Sequence, residues 1–401
     1  MRDLHLELEE YGASDMRPIG FFVQDGLSDH ALRVTRIIDA LPPSRPVTVF
    51  CPDPALMAEV EGRAEVIALP SFSISTGKHV GHAVMPGVDA GFSLGQGPMM
   101  ASLIRADLNA LTRWFDRANP ALLMIDESAE IARLARRCDV PHVVALKHGM
   151  RQDEAHDEMF SGAEGLLAPF HKTLAQPDWS HDWTGKTHFA AGLERLQRVP
   201  ERQAARRSLN LPQDATVILA LTDPTTQPMQ YAAVIAGARA VSDCVWLLAG
   251  GGAAAGDPSN LRRMSGDVTH ETQIAAADLV ISNAGDVISA EILSARRPWI
   301  VVPEWSLCDV QIEKARALSK VGAAHMRHQL PGYEAGWRQT LDIATQLHDP
   351  ARQAALDHAG AAAGVAAWLE GRAAERNAPV HPMLPAIDHM IPVRQVADAL
   401  A

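Results

Sequence analysis

Short runs of mainly apolar residues, each closing on a glycine, proline or polar residue and followed by a stretch of helical periodicity, recur along this chain. Ile19–Val23, Val47–Phe50, Ala121–Ile125 and His142–Leu146 form one series. Val217–Leu221, Cys244–Ala249, Leu279–Ile281 and Trp299–Pro303 form a second. A strand that is apolar on both faces needs cover on both, and helices placed between successive strands supply it, so the pattern specifies parallel sheets. The intervening helices are expected over His30–Leu41, Leu103–Phe115, a segment ending at Arg137, Met229–Ala240, a segment opening near Val287, and Asp309–Lys320. The tail from Gln353 to Glu375 is alanine-rich and reads as helix. A chain of 401 residues exceeds one ordinary domain, and two series of strands imply two doubly wound domains. Residues 175–200 lack periodicity and read as the junction, which divides the chain into 1–192 and 193–401. The last helix is free to pack back on the first domain.

In open parallel sheets, ligands bind beyond the carboxyl ends of the strands. The candidates are therefore the polar residues that follow them: Asp25 to His30, Asp126, Lys147, His148, Thr222, Asp223, Gly250 to Gly252, and Asn283 to Asp286. Residues 71–100, rich in glycine, proline and serine, read either as a long loop facing substrate or as a disordered excursion.

The formal net charge of −12 excludes general nucleic-acid binding, which needs basic surface, but not a small anionic ligand held by backbone dipoles and a few local cations. Arg33 and Arg36 form one such local group. The four cysteines are scattered without CxxC spacing and read as small buried apolar residues in a reducing compartment. The seventeen histidines show no metal-binding spacing, so no metal site is expected. The acidic N-terminal residues do not resemble a signal peptide, and no apolar run of about 18 residues is present. These features point to a cytoplasmic protein, with peripheral membrane association and oligomeric state left open.

The most specific segment runs from Ala277 to Pro303. After the strand Leu279–Ile281, the residues Asn283, Ala284 and Gly285 bring backbone N–H groups together, and the following helix adds the positive end of its dipole. Glu291 lies about a turn into that helix, where its carboxylate can accept hydrogen bonds from both hydroxyls of a ribose. Asp309 and Gln311 open the next helix toward the same cleft.

This ordered set resembles the donor-binding half of GT-B glycosyltransferases, in the branch of the bacterial lipid II N-acetylglucosaminyltransferase and related UDP-glycosyltransferases. The family's pattern ADLVISRAG…T..E…G.P.I.VP….D.Q..NA..L...GAA stands here as ADLVISNAGDVISAEILSARRPWIVVPEWSLCDVQIEKARALSKVGAA. The resemblance implies two Rossmann-like domains facing a central cleft. It also implies an inverting, metal-independent transfer of a sugar from a nucleotide diphosphate, most simply UDP, without a cofactor. Glu291 would bind the ribose, Ala284 and Gly285 the phosphates, and Asp309 and Gln311 the sugar hydroxyls. Thr222 would add a phosphate contact, and the loop holding Thr269 and His270 would lie beside the base. The chain departs from the pattern at Asn283, where a basic residue or histidine is common, at Asp286, which adds a negative charge, and at Lys314, where asparagine is usual.

In the first half, Gln24 to Arg33 is similar to the family's GxGHxxR loop. His30 would then face the acceptor as general base, oriented by Asp126, with Asp29, Arg33 and His148 on the acceptor side. The acceptor is a saccharide, a lipid-linked glycan or a small molecule. Two other readings use the same plan: a nucleotide-sugar hydrolase or epimerase, and a non-catalytic nucleotide-sugar-binding protein.

Overall fold

Parallel pairing runs through both halves of the computed structural model, which describes residues 16–23, 28–69, 97–151, 153–222, 228–249 and 254–375. The first sheet holds β1 (Ile19–Val23), β2 (Val47–Cys51), β3 (Glu65–Ala68), β4 (Leu122–Asp126), β5 (His142–Ala145), β6 (Gly165–Ala168) and β7 (Thr187–Phe189), in the order β3-β2-β1-β4-β5-β6-β7. Its helices are α1 (Ser28–Ala40), α2 (Gly97–Ala118), α3 (Ala129–Arg137), α4 (Glu154–Gly162) and α5 (His181–Gly185). The second sheet holds β8 (Val217–Leu221), β9 (Val245–Ala249), β10 (Leu261–Met264), β11 (Leu279–Ser282), β12 (Trp299–Val301) and β13 (His325–Met326), in the order β10-β9-β8-β11-β12-β13. With it go α6 (Arg202–Ser208), α7 (Pro228–Ala240), α8 (His270–Ala276), α9 (Asp286–Ala295), α10 (Val310–Lys320), α11 (Glu334–Leu347), α12 (Pro350–Ala354) and α13 (Ala361–Glu375).

Each sheet reverses its winding at one place, between β1 and β4 in the first and between β8 and β11 in the second. Those strands are buried along their whole length, which is why their sequences are continuous apolar runs. One apolar cluster runs without a break from Phe22 and Ile125 through Phe170 to Ile292 and Leu318, so the two sheets share a core behind the cleft.

Two expectations are corrected. The segment 175–200 is not a featureless junction: it contains α5 and β7, the last strand of the first sheet. The tail is not one helix from Gln353 to Glu375; α12 ends at Ala354 and α13 begins at Ala361. In the break, Asp357 receives two hydrogen bonds from Arg195, at 2.8 and 3.1 Å.

α13 lies on the first sheet, with Val365, Leu369 and Ala373 in one core with Ile37, Ile38 and Leu122. Arg45 donates from Nε to Glu370 at 2.7 Å, and Trp368 stacks on His188 with centroids 5.1 Å apart. A Cβ at Gly165 would lie 2.7 Å from Trp368, so the absence of a side chain there makes room for the helix.

Candidate functional site

Some of the residues proposed from sequence flank the two reversal points, where adjacent strands send their connections to opposite faces and leave a crevice. His30, the third residue of α1, and Asp126, the last of β4, flank the first. Thr222, after β8, and Asn283, after β11, flank the second; Leu221 and Ser282 before them are register partners. Asp29 lies in the first turn of α1. Residues 24–27, 70–96, 223–227 and 250–253 lie outside the described residues, and with them Asp25, Asp223, Gly250 to Gly252 and nearly all of the expected substrate loop.

On the first domain's side, His30 Nδ1 lies 2.5 Å from Asp126 Oδ2. Arg33, one turn along the same face of α1, is buried and meets three carboxylates. Its Nη1 donates to Asp126 Oδ1 at 3.2 Å, its Nε to Glu194 at 2.6 Å, and its Nη2 to Asp286 of the second domain at 2.9 Å. Burial works against the charge of Asp126, but His30, Lys147 and Arg33 outweigh it and hold this carboxyl well below its ordinary range. Lys147 Nζ approaches His30 Nε2 at 2.9 Å and Glu127 at 3.3 Å. Arg151 completes the group by pairing with Glu127. Glu127 itself takes a left-handed conformation, φ 62°, an unfavourable backbone for a residue with a Cβ at the edge of a site.

His148 is fully buried, with Nε2 at 2.8 Å from Leu174 O. It lines an interdomain crevice with Phe170 and Leu174 on one wall and Ser289, Leu293 and Lys314 on the other.

On the second domain's side, the turn before α9 is held by side chains. Asn283 Oδ1 accepts from Gly285 N at 3.0 Å, and its Nδ2 donates to Glu304 at 2.9 Å. Gln311 Oε1 accepts from both Ala284 N and Glu304 N, at 3.1 and 3.0 Å. Asp309 caps α10 from a left-handed conformation, φ 54°, without a side-chain hydrogen bond to the helix. Thr269 and His270 stand at the start of α8 rather than in an open loop: Thr269 caps it, and His270 Nδ1 lies 3.3 Å from Glu291. Thr222 is buried, and among the described residues its hydroxyl has no hydrogen-bond partner.

Asp286 is the first residue of α9, and its carboxylate is held by Arg33 and by Lys314. The negative charge that the sequence adds to this turn is therefore matched by two cations, one from each domain. Four residues of the arrangement, Glu127, Glu304, Glu194 and Arg151, were not among the sequence candidates, whereas Lys147 was. Glu127 and Glu304 obey the strand-end rule and were within its reach. Glu194 lies in an irregular connection and Arg151 beyond the strand end, where no periodic signal marks either.

Two parallel sheets, each reversing at a crevice and joined by a shared core, make this a protein of the GT-B fold. Within it, residues 264–330 match the family model described as "Glycosyltransferase family 28 C-terminal domain". Among solved structures, the calicheamicin glycosyltransferase CalG4 is 16% identical with a TM-score of 0.60, covering 91% of this chain and 100% of that one. The spinosyn rhamnosyltransferase SpnG in complex with thymidine diphosphate is 16% identical with a TM-score of 0.59, covering 88% of this chain and 100% of that one. MurG of Acinetobacter baumannii is 14% identical with a TM-score of 0.58, covering 88% of this chain and 99% of that one. No curated protein matches the chain in sequence. No helix of the described residues is long and apolar enough to cross a membrane.

Proposed function

We propose that this protein is an inverting glycosyltransferase that moves a sugar from a UDP-sugar to an acceptor hydroxyl, in the cytoplasm and without metal or cofactor. The second domain holds the donor: Glu291 takes the ribose, the Ala284–Gly285 turn, Thr222 and the start of α9 face the diphosphate, and Asp309 and Gln311 face the sugar. The first domain presents the acceptor to His30. The carrying observation is the pair His30–Asp126, 2.5 Å apart at the first sheet's reversal point and linked through Arg33 to Asp286 at the start of the donor helix. An imidazole whose Nδ1 faces a buried carboxylate is oriented to take a proton at Nε2 while the departing diphosphate is stabilised by helix and side-chain dipoles. The family-model match over residues 264–330 supports the donor half of this reading.

Calorimetry with UDP, dTDP and GDP tests the donor site. The preferred nucleotide should bind, and Glu291→Ala should weaken it by about tenfold, the loss of a charge-assisted hydrogen-bonded contact. Turnover by His30→Ala should fall by about 10²-fold or more with the true acceptor. Near-normal turnover of that variant would remove His30 from the chemistry.

One observation favours a second reading, a protein that binds nucleotide sugar without transferring it. Lys147 Nζ stands at His30 Nε2, on the lone pair that a general base must offer. Under that reading nucleotide binds and no acceptor or water turns it over; a hydrolase would instead release free sugar.

A further inference from the structure

Lys314 and Arg33 reach the first turn of α9 from opposite sides, one on α10 of the second domain and the other on α1 of the first. Both are buried, at 5% and 2% exposure, and a buried cation needs an anion. Between them stands the carboxylate of Asp286, at the end of a helix whose dipole favours negative charge. We propose that Asp286 is an internal occupant of the diphosphate site, and that Arg33 and Lys314 are the side chains that grip the donor's diphosphate once Asp286 turns away. This rests on the reading above, that the chain takes a nucleoside diphosphate donor.

Three features support the assignment. The turn itself offers no cation, because residue 283 is asparagine and its amide is committed to Gly285 and Glu304. Arg33 need not move to change partners. Its Nε stays with Glu194 and its Nη1 with Asp126, leaving Nη2, the nitrogen now on Asp286, for a phosphate oxygen. Across the reversal point from Asn283, the Thr222 hydroxyl is buried without a partner among the described residues, and a phosphate oxygen would accept from it. Arg33 also touches the carboxylate that orients His30, so the residue that grips the donor would brace the base.

The exchange predicts competition. Removing the internal carboxylate should improve diphosphate binding, and removing a cation should weaken it. The experiment is calorimetry of UDP, dTDP and GDP, with uridine as a control lacking phosphate, on the whole chain and on Asp286→Asn and Lys314→Gln. Asp286→Asn should bind the diphosphate about tenfold more tightly and Lys314→Gln about tenfold more weakly, with uridine affinity unchanged in both. Equal or weaker diphosphate binding by folded Asp286→Asn overturns the inference while leaving nucleotide binding in place. Failure of the unaltered protein and of both variants to bind any of the three nucleotides overturns the donor reading as well. Should Asp286→Asn fail to fold, adding it to Lys314→Gln repeats the test with the charges balanced. A gain of about threefold or more over Lys314→Gln alone is then expected, and no gain overturns the inference.

Discussion

His148 packs wholly inside the protein between Phe170 and Trp179, with ring centroids 4.2 and 6.2 Å away. Burial, with Lys314 nearby, pushes its imidazole down to about 3. The folded protein therefore keeps this ring neutral while the unfolded chain protonates it near pH 6.5, and the unfolded state binds the extra proton between those values. Stability from this group is complete above pH 6.5 and is lost as pH falls toward 3, by about 1.4 kcal/mol for each unit of that window. Asp126 acts lower: its carboxyl is held below the ordinary range, so its contribution is lost only as pH drops below the usual carboxylate value. Urea midpoints of His148→Phe should fall less steeply between pH 6.5 and 4 than those of the unaltered protein. A slope equal to the unaltered protein's would refute the account. The remaining slope belongs in part to His142, also lowered by burial. That His148 follows a strand is plain in the sequence. That its ring points into the core is not, because a polar residue after a strand can face the crevice or its floor.

Among elements, the connections beyond β5 and β12 meet backbone to backbone. Met150 N donates to Cys308 O at 2.6 Å, and Gly149 N donates to Gln176 Oε1 at 2.6 Å. Gly149 has φ +124°, and a Cβ there would lie 2.6 Å from Cys308 O. Gly149→Ala should thus destabilise the protein by about 2 kcal/mol or more, through strain and through separation of the two loops. Thermal unfolding monitored by circular dichroism should show the lowered midpoint; an unchanged midpoint would mean that the loops do not depend on each other. The elements most readable from sequence were those buried on both faces, such as β1, β4, β8 and β11. The edge strands β3, β7, β10 and β13 were missed because they are short or exposed: Glu65 and Ala68 point outward, β7 is only Thr187–Phe189, β10 carries Arg262 and Arg263, and β13 is only His325 and Met326. β6, though buried, was missed because its four residues Gly165–Ala168 are too short a run to stand out. α12 and α13 were merged for a related reason, since alanine-rich sequence continues through the break and only Asp357 and its arginine partner mark where the chain turns.

For the molecule as a whole, the second domain's last helix belongs structurally to the first. Leu369 is completely buried in the core that also holds Ile37 and Leu122. Leu369→Ala should cost about 2–5 kcal/mol, the usual range for an apolar side chain cut back to leave a cavity. Its signature should be loss of hydrogen-exchange protection in β1, β4 and α1; loss confined to β8 and β11 would place the helix elsewhere in solution. The two-domain plan was visible in sequence because each half repeats the strand–helix rhythm. The Arg33–Asp286 bridge was not, because 253 residues separate its partners and neither lies in a pattern that names the other. The return of α13 also means that the chain passes between the domains twice, near Gly192 and again near Asp357 and His358. The two passages touch: a Cβ on Gly192 would meet Asp357 and the backbone of His358, and Arg195 joins Asp357. A single covalent strand would leave the halves free to twist as well as swing. Two strands laid side by side resist that twist, so any hinge motion would run about one line at the rim and would return Arg33 to the same register with α9.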